Sequence, residues 1–186
     1  MLAPLFKVTD LTAIRDLESV VESGDTFEAN AILKATAASR ALPGLVIADD
    51  SGLEVDALAG APGVRSARYA GENATDEANV AKLLHALQNS TGRAAQFRCV
   101  LALAEAGGIV ALFDGRVRGR ITYSPAGASG FGYDPVFVPE GYDQTFAELG
   151  AATKNALSHR ARAVADLRAY LLENKKGGED RRPSSS

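Results

Sequence analysis

Scarcity bounds this chain before any motif does. A single cysteine, Cys99, stands among 186 residues, so no disulfide can form within the chain and a reducing compartment is the expected setting. Cys99 lies in an apolar strand-like run, where a thiol serves as a small core residue. No apolar run approaches the length of a membrane span. The opening Met1-Leu2-Ala3-Pro4-Leu5-Phe6 lacks the basic start and long apolar core of a secretory leader, so the cytoplasm is the expected location. Basic residues are not in surplus: 20 Lys and Arg against 23 Asp and Glu leave a net charge of −3, which argues against a nucleic-acid polymer as partner. A free nucleotide needs only a local cluster of cations and stays open. With 46% hydrophobic and 23% charged residues the composition is that of a globular protein, long enough for one sizeable core or two lobes on one sheet.

What is present centres on Ala48 to Gly71, ADDSGLEVDALAGAPGVRSARYAG. The apolar run Leu45-Val46-Ile47-Ala48 feeds into Asp49-Asp50-Ser51-Gly52, which reads as a buried strand ending in two carboxylates, a hydroxyl and a glycine. Strand ends are where an open α/β sheet places its chemistry. Adjacent strand residues point to opposite faces, so at most one of the two aspartates faces a given site unless the strand has already turned. Two carboxylates this close call for a cation or hydrogen-bond donors. From these residues alone two readings stand: a magnesium site with a carboxylate base, or a plain turn, since Asp-Ser-Gly is good turn chemistry.

Upstream, Glu22–Thr26 is a loop, and Asp25 or Thr26 can cap a helix from Phe27 to about Arg40. Asn30 and Lys34, four apart, share one helical face. Downstream, Thr75 caps a second helix whose Val80, Leu83, Leu84 and Leu87 form an apolar stripe, with His85 off it at the surface. Phe97–Ala104, Ile109–Phe113 and Val117–Tyr123 read as strands, with a turn at Glu105–Gly108 and a turn or bulge at Asp114-Gly115. Arg116, Arg118 and Arg120 alternate on one strand face, either solvated or lining a site. Ser124–Pro135 is a glycine-rich loop holding Phe131 and Tyr133; glycines admit a ligand to the backbone and an aromatic face can stack on a base. Ser158 caps a final helix with Val164, Leu167 and Leu171 on its apolar face. His159 and Arg160 then fall in its first turn, where the helix dipole opposes positive charge. Residues 1–173 read as one domain, and the polar Asn174–Ser186 as a disordered tail.

Three strings carry a resemblance: ExGxTFxxNAxxKA from Glu22 to Ala35, ADDSGLEVDAL with GAPGV and SARYAG, and GFGYDPVFxPxGYxxTFAEL followed by Lys154 and Ser158-His159-Arg160. Together they closely resemble the inosine triphosphate pyrophosphatases, also called the Ham1 family, over roughly Glu22 to Leu172. The resemblance implies an α/β fold, an elongated, twisted mixed sheet flanked by helices in two lobes with a central cleft. It implies a magnesium-dependent homodimer that hydrolyses inosine, deoxyinosine and xanthosine triphosphates to the monophosphate and pyrophosphate. It further implies that Asp50 accepts the proton of the attacking water and joins Glu22 at the metal. Ser51 would contact substrate. Phe131, Gly132, Tyr133 and Asp134 would wall the base pocket, and Lys154, His159 and Arg160 would donate to the base. Asp49 stays open between a supporting and a structural role.

The resemblance fails at the start. Family members open with a buried strand and a threonine-asparagine-lysine phosphate loop, whereas Met1–Leu5 looks like the end of the helix that follows them. The expectation is a start assigned at an internal methionine. The other reading is a truncated, catalytically weak nucleotide-binding relative.

Overall fold

Runs of apolar residues build three long strands: β1 (Leu45–Val55), β2 (Ala94–Glu105) and β3 (Gly108–Ile121); β4 (Phe137–Pro139) is short. They belong to a computed structural model that describes residues 8–9 and 20–179. The sheet order is β1-β2-β3-β4. β2 is central and, from Cys99 to Ala104, buried on both faces. Ala106 and Gly107 join β2 to β3 with φ of 50° and 82°, the positive-φ pair that a two-residue hairpin turn favours.

Helices cover the sheet on both faces. α1 (Phe27–Ala41) starts at Thr26, whose Oγ1 accepts from Ala29 N at 3.1 Å, and lays Phe27, Ala31 and Ala35 against Val100, Ala102 and Ala104 of β2. α4 (His159–Glu179) starts at Ser158, whose Oγ accepts from Ala161 N at 3.2 Å. It lays Ala163 and Leu167 on the opposite face, against Cys99, Leu101 and Leu103. The far end of the sheet is packed separately. There α2 (Asp76–Ala86) and α3 (Phe146–Leu157) enclose Leu53, Val55, Val80, Leu83, Phe97 and Phe137. Phe97 meets Phe137 edge-on at 4.7 Å between centroids, and Phe137 stacks on Phe146 at 5.4 Å. Two differently packed ends on one sheet are the two lobes.

The α/β class expected from the sequence holds, but every described strand pairing is antiparallel, where a mixed sheet was expected. β1 does not end at its carboxylates: it runs on to Val55, because Leu53 and Val55 continue the inward alternation into the far core, and Asp-Ser-Gly makes no turn. Asp114-Gly115 is likewise no turn; the two expected runs are one strand, β3. Arg116, Arg118 and Arg120 lie exposed on it. The helix α3 was not anticipated; it is interrupted at Gly150 (φ 77°), which breaks the apolar periodicity. Residues 174–179 of the polar tail continue α4, and the rest of that tail, like most of the chain before Val20, lies outside the described residues.

Gly115 is where α4 presses on β3. A Cβ there would sit 2.0 Å from the His159 carbonyl oxygen and 2.5 Å from Ala163 N. Backbone on both sides cannot give way as a side-chain tip would. Gly115→Ala should therefore destabilise the fold by about 1–3 kcal/mol, or roughly 2–4 °C of melting temperature per kcal/mol in a domain of this size. A thermal melt that matches the parent would show that α4 does not pack this closely.

Candidate active site

β1 carries Asp49 and Asp50 to opposite faces of the sheet, and the side chains gathered on each face differ in kind. On the α1 face, Asp50 is buried. Asn30 Nδ2 donates to its Oδ2 at 3.1 Å, and Asn30 Oδ1 accepts from Gly24 N at 2.8 Å, so the amide is held at both ends. Lys34 Nζ donates to Asp50 Oδ1 at 3.1 Å and to Glu22 Oε1 at 2.9 Å. Asn30 and Lys34 share a face of α1 as their four-residue spacing requires. Burial raises the Asp50 carboxyl above its ordinary range despite the bonds from Asn30 and Lys34 that pull it down. Burial pulls the Lys34 ammonium down, but Glu22 and Asp50 more than offset this and leave it raised.

Glu22 and Asp50 thus converge on one point that already holds a cation, the ammonium of Lys34. Two hard carboxylates suit a divalent ion such as Mg²⁺, which completes its shell with water and phosphate oxygens and rarely takes an all-protein cage. Among the described residues no group of three or more His, Cys, Asp or Glu could hold a metal ion. The donor set fits a cation shared with substrate.

On the α4 face, Arg160 Nη2 and Nε donate to Asp49 Oδ2 at 2.8 and 3.2 Å, and Ser51 Oγ donates to the same oxygen at 3.1 Å. Burial would raise the Asp49 carboxyl, but these bonds hold it below its ordinary range. Beyond Arg160 opens a cavity of about 170 Å³. Ser51, Phe131, Gly132 and Tyr133 line it, and so do Asp134, Lys154, His159 and Arg160. Asp50 and Glu22 are not among its walls; they stand across β1.

The glycine-rich loop is pinned from several directions. Asp134 Oδ2 accepts from Phe131 N at 2.9 Å and pairs with Lys154 Nζ, which also lies 3.9 Å from the Phe131 ring centroid. Gly130 takes φ 86°, and a Cβ on it would meet Asp134 Oδ2 at 2.1 Å, so this position requires glycine. Gly132 N donates to Asp76 Oδ2 at 2.6 Å, and the Tyr133 hydroxyl donates to Ser66 O at 2.9 Å. Ser66 Oγ in turn accepts from Leu53 N at 2.9 Å, returning the contact to β1. His159 stacks on Phe97 at 5.0 Å between centroids with its rings nearly parallel, and its buried Nδ1 has no hydrogen-bond partner. Burial, with Arg160 and Lys154 nearby, pushes this imidazole down to about 3.

Asn30 and Lys34 were legible only as a helical pair; that they grip Asp50 required the tertiary contact. Ser66 and Asp76 were not singled out as site residues from the sequence, nor was Asn79, which accepts from Ala70 N at 2.7 Å and lines the cavity. The one available signal was the position of Asp76 in a helix's first turn, which fits a cap as well as a loop anchor.

The chain is similar to known proteins over most of its length. The Ham1 family model matches residues 1–170. A dITP/XTP pyrophosphatase of Shouchella clausii is 52% identical over 82% of this chain and 78% of its own. One from an Exiguobacterium species is 48% identical over 95% of this chain and 91% of its own. The solved Ham1 protein of Staphylococcus aureus superposes with a TM-score of 0.87 at 47% identity, covering 93% of this chain and 90% of that one.

The buried histidine makes a pH prediction. Its folded value near 3 lies below the ordinary 6.5, so the unfolded chain binds the extra proton between those values. Stability is complete above about pH 6.5 and is lost as pH falls; at about pH 5 the loss from this group is about 2 kcal/mol. Urea titrations of the parent and His159→Gln at neutral pH and at about pH 5 should show a shallower decline in the variant. Equal declines would show that His159 protonates freely in the folded state.

Proposed function

The chain belongs to the Ham1 family, and from that premise we infer that it hydrolyses dITP, XTP and ITP to the nucleoside monophosphate and pyrophosphate. The names of its dITP/XTP pyrophosphatase relatives support the substrate class. The observation that carries the reading onto this chain's own residues is the division at β1. A cavity walled by an aromatic loop and cationic side chains lies on one face, and a buried carboxylate with a cation-seeking partner lies on the other.

In this reading Asp50 is the proton acceptor. Its raised basicity, from burial, lets it take a proton from the water that opens the α–β anhydride; the new oxygen–phosphorus bond forms as pyrophosphate leaves with the bridging electron pair. Asn30 and Lys34 keep both carboxylate oxygens aimed. Glu22 and Asp50 would hold a divalent cation, Mg²⁺ by the hardness of their oxygens, which when bound neutralises charge on the phosphate oxygens. Phe131, Gly132, Tyr133 and Asp134 wall the base, and Ser51 contacts the substrate beside it. Lys154, His159 and Arg160 present donors to the base. A 6-oxo purine accepts from them, whereas the 6-amino group of adenine meets donor with donor. A site built to bond one such group can reject its analogue by roughly 10⁴. Homodimeric assembly and a cytoplasmic location belong to the same proposal.

Asp50→Asn should retain the fold and lose about 10²–10⁴ of the turnover, the value of a positioned base. The assay is release of pyrophosphate, not single phosphate, from inosine triphosphate with Mg²⁺, and its loss on chelation. Near-parental turnover by Asp50→Asn would remove this residue from the chemistry, and release of single phosphate would overturn the proposed bond cleavage.

A further inference from the structure

Two polar residues of β1 take no part in the reaction above: Glu54, which accepts from Gln96 of β2, and Asp49. The contacts of Asp49 are specific. Three donors end on one atom: Arg160 Nη2 at 2.8 Å, Arg160 Nε at 3.2 Å and Ser51 Oγ at 3.1 Å, all to Oδ2. Arg160 lies 111 residues away in sequence, in the first turn of α4, where the helix dipole disfavours a cation. Asp49 supplies the countercharge there, and among the described residues it is the one side chain that bonds the guanidinium.

The geometry also says which donors remain. A guanidinium carries five N–H groups in a rigid plane. Asp49 takes the edge formed by Nε and Nη2, which fixes that plane and leaves the second N–H of Nη2 and both of Nη1 unspent. Arg160 and Ser51 both line the cavity. We propose that Asp49 is a positioning residue that aims Arg160, with Ser51 beside it, at the oxo group of the base, so that base recognition is anchored to the residue next to the proton acceptor. The side chain touches no reacting atom; it acts through Arg160. This rests on the base-recognition reading above and extends it to Asp49.

The test measures binding, so it needs neither metal nor turnover. Inosine and adenosine monophosphates are titrated calorimetrically into the parent, Asp49→Asn, Arg160→Ala and the double variant, with a thermal melt of each. Asp49→Asn should weaken the inosine nucleotide about tenfold, the scale of one lost charged hydrogen bond, and leave the adenosine nucleotide unchanged. In the Arg160→Ala background the same change should add nothing. Asp49→Ser, shorter and neutral, carries the same expectation if the asparagine variant unfolds. A folded Asp49 variant that keeps the parental preference overturns the inference, as does a further loss in the Arg160→Ala background. A parent that binds both nucleotides equally overturns the base reading itself, a different result from either.

Discussion

Adjacent residues of a β-strand point to opposite sides of the sheet, so Asp49 and Asp50 cannot share one set of partners. The rest of the arrangement follows from that constraint. α1 brings Asn30 and Lys34 to Asp50 on one face, and α4 brings Arg160 to Asp49 on the other. The two sites are one peptide bond apart along the chain and separated by the thickness of the sheet. A substrate that engages both must pass over β1. The strand is stiff there because β2 pairs it along its whole length, from Leu45 opposite Glu105 to Val55 opposite Ala95.

Each charge drawn into this region has a partner: Asp50 and Glu22 share Lys34, Asp134 holds Lys154, and Asp49 holds Arg160. The exception is His159, which remains neutral against Phe97 because burial and two neighbouring cations oppose its proton. Buried ion pairs offset desolvation without adding much stability. Their effect here is geometric. The glycine-rich loop is tied to α2 through Asp76, to Ser66 and so to β1, and to α3 through Ser129, so the protein's own contacts hold its cavity open. A preformed cavity spends little binding energy on ordering itself.

Close backbone approach is the second device. Gly115 lets α4 rest on β3, which sets where His159 and Arg160 begin. Gly52 leaves room beside Asp50 for Ser66 and the Gly63 carbonyl, and Gly130 leaves room for the Asp134 carboxylate. In each case the absent side chain matters more than conformational freedom, except at Gly130, where both are needed.

Much of this was legible in the residues. Helix caps at Thr26, Thr75 and Ser158, the apolar stripe of α2 and the burial of Cys99 follow from local chemistry, and local chemistry is what a sequence displays. The alternation that separates Asp49 from Asp50 was legible too, and so was the family resemblance of the strings that hold the site. Strand extent was not: β1 and β3 run through Asp-Ser-Gly and Asp-Gly because continuous pairing with β2 outweighs the turn preference of those residues. Nor could α3 be read across Gly150. By itself the sequence determined the family resemblance and which face of its own strand or helix each candidate residue occupies, since faces depend on neighbours a few positions away. Only the tertiary structure decided that Asn30 and Lys34 hold Asp50, that Asp76 and Ser66 anchor the glycine-rich loop, and that Arg160 answers to Asp49, because each pairing joins distant segments whose meeting is set by how the helices pack on the sheet.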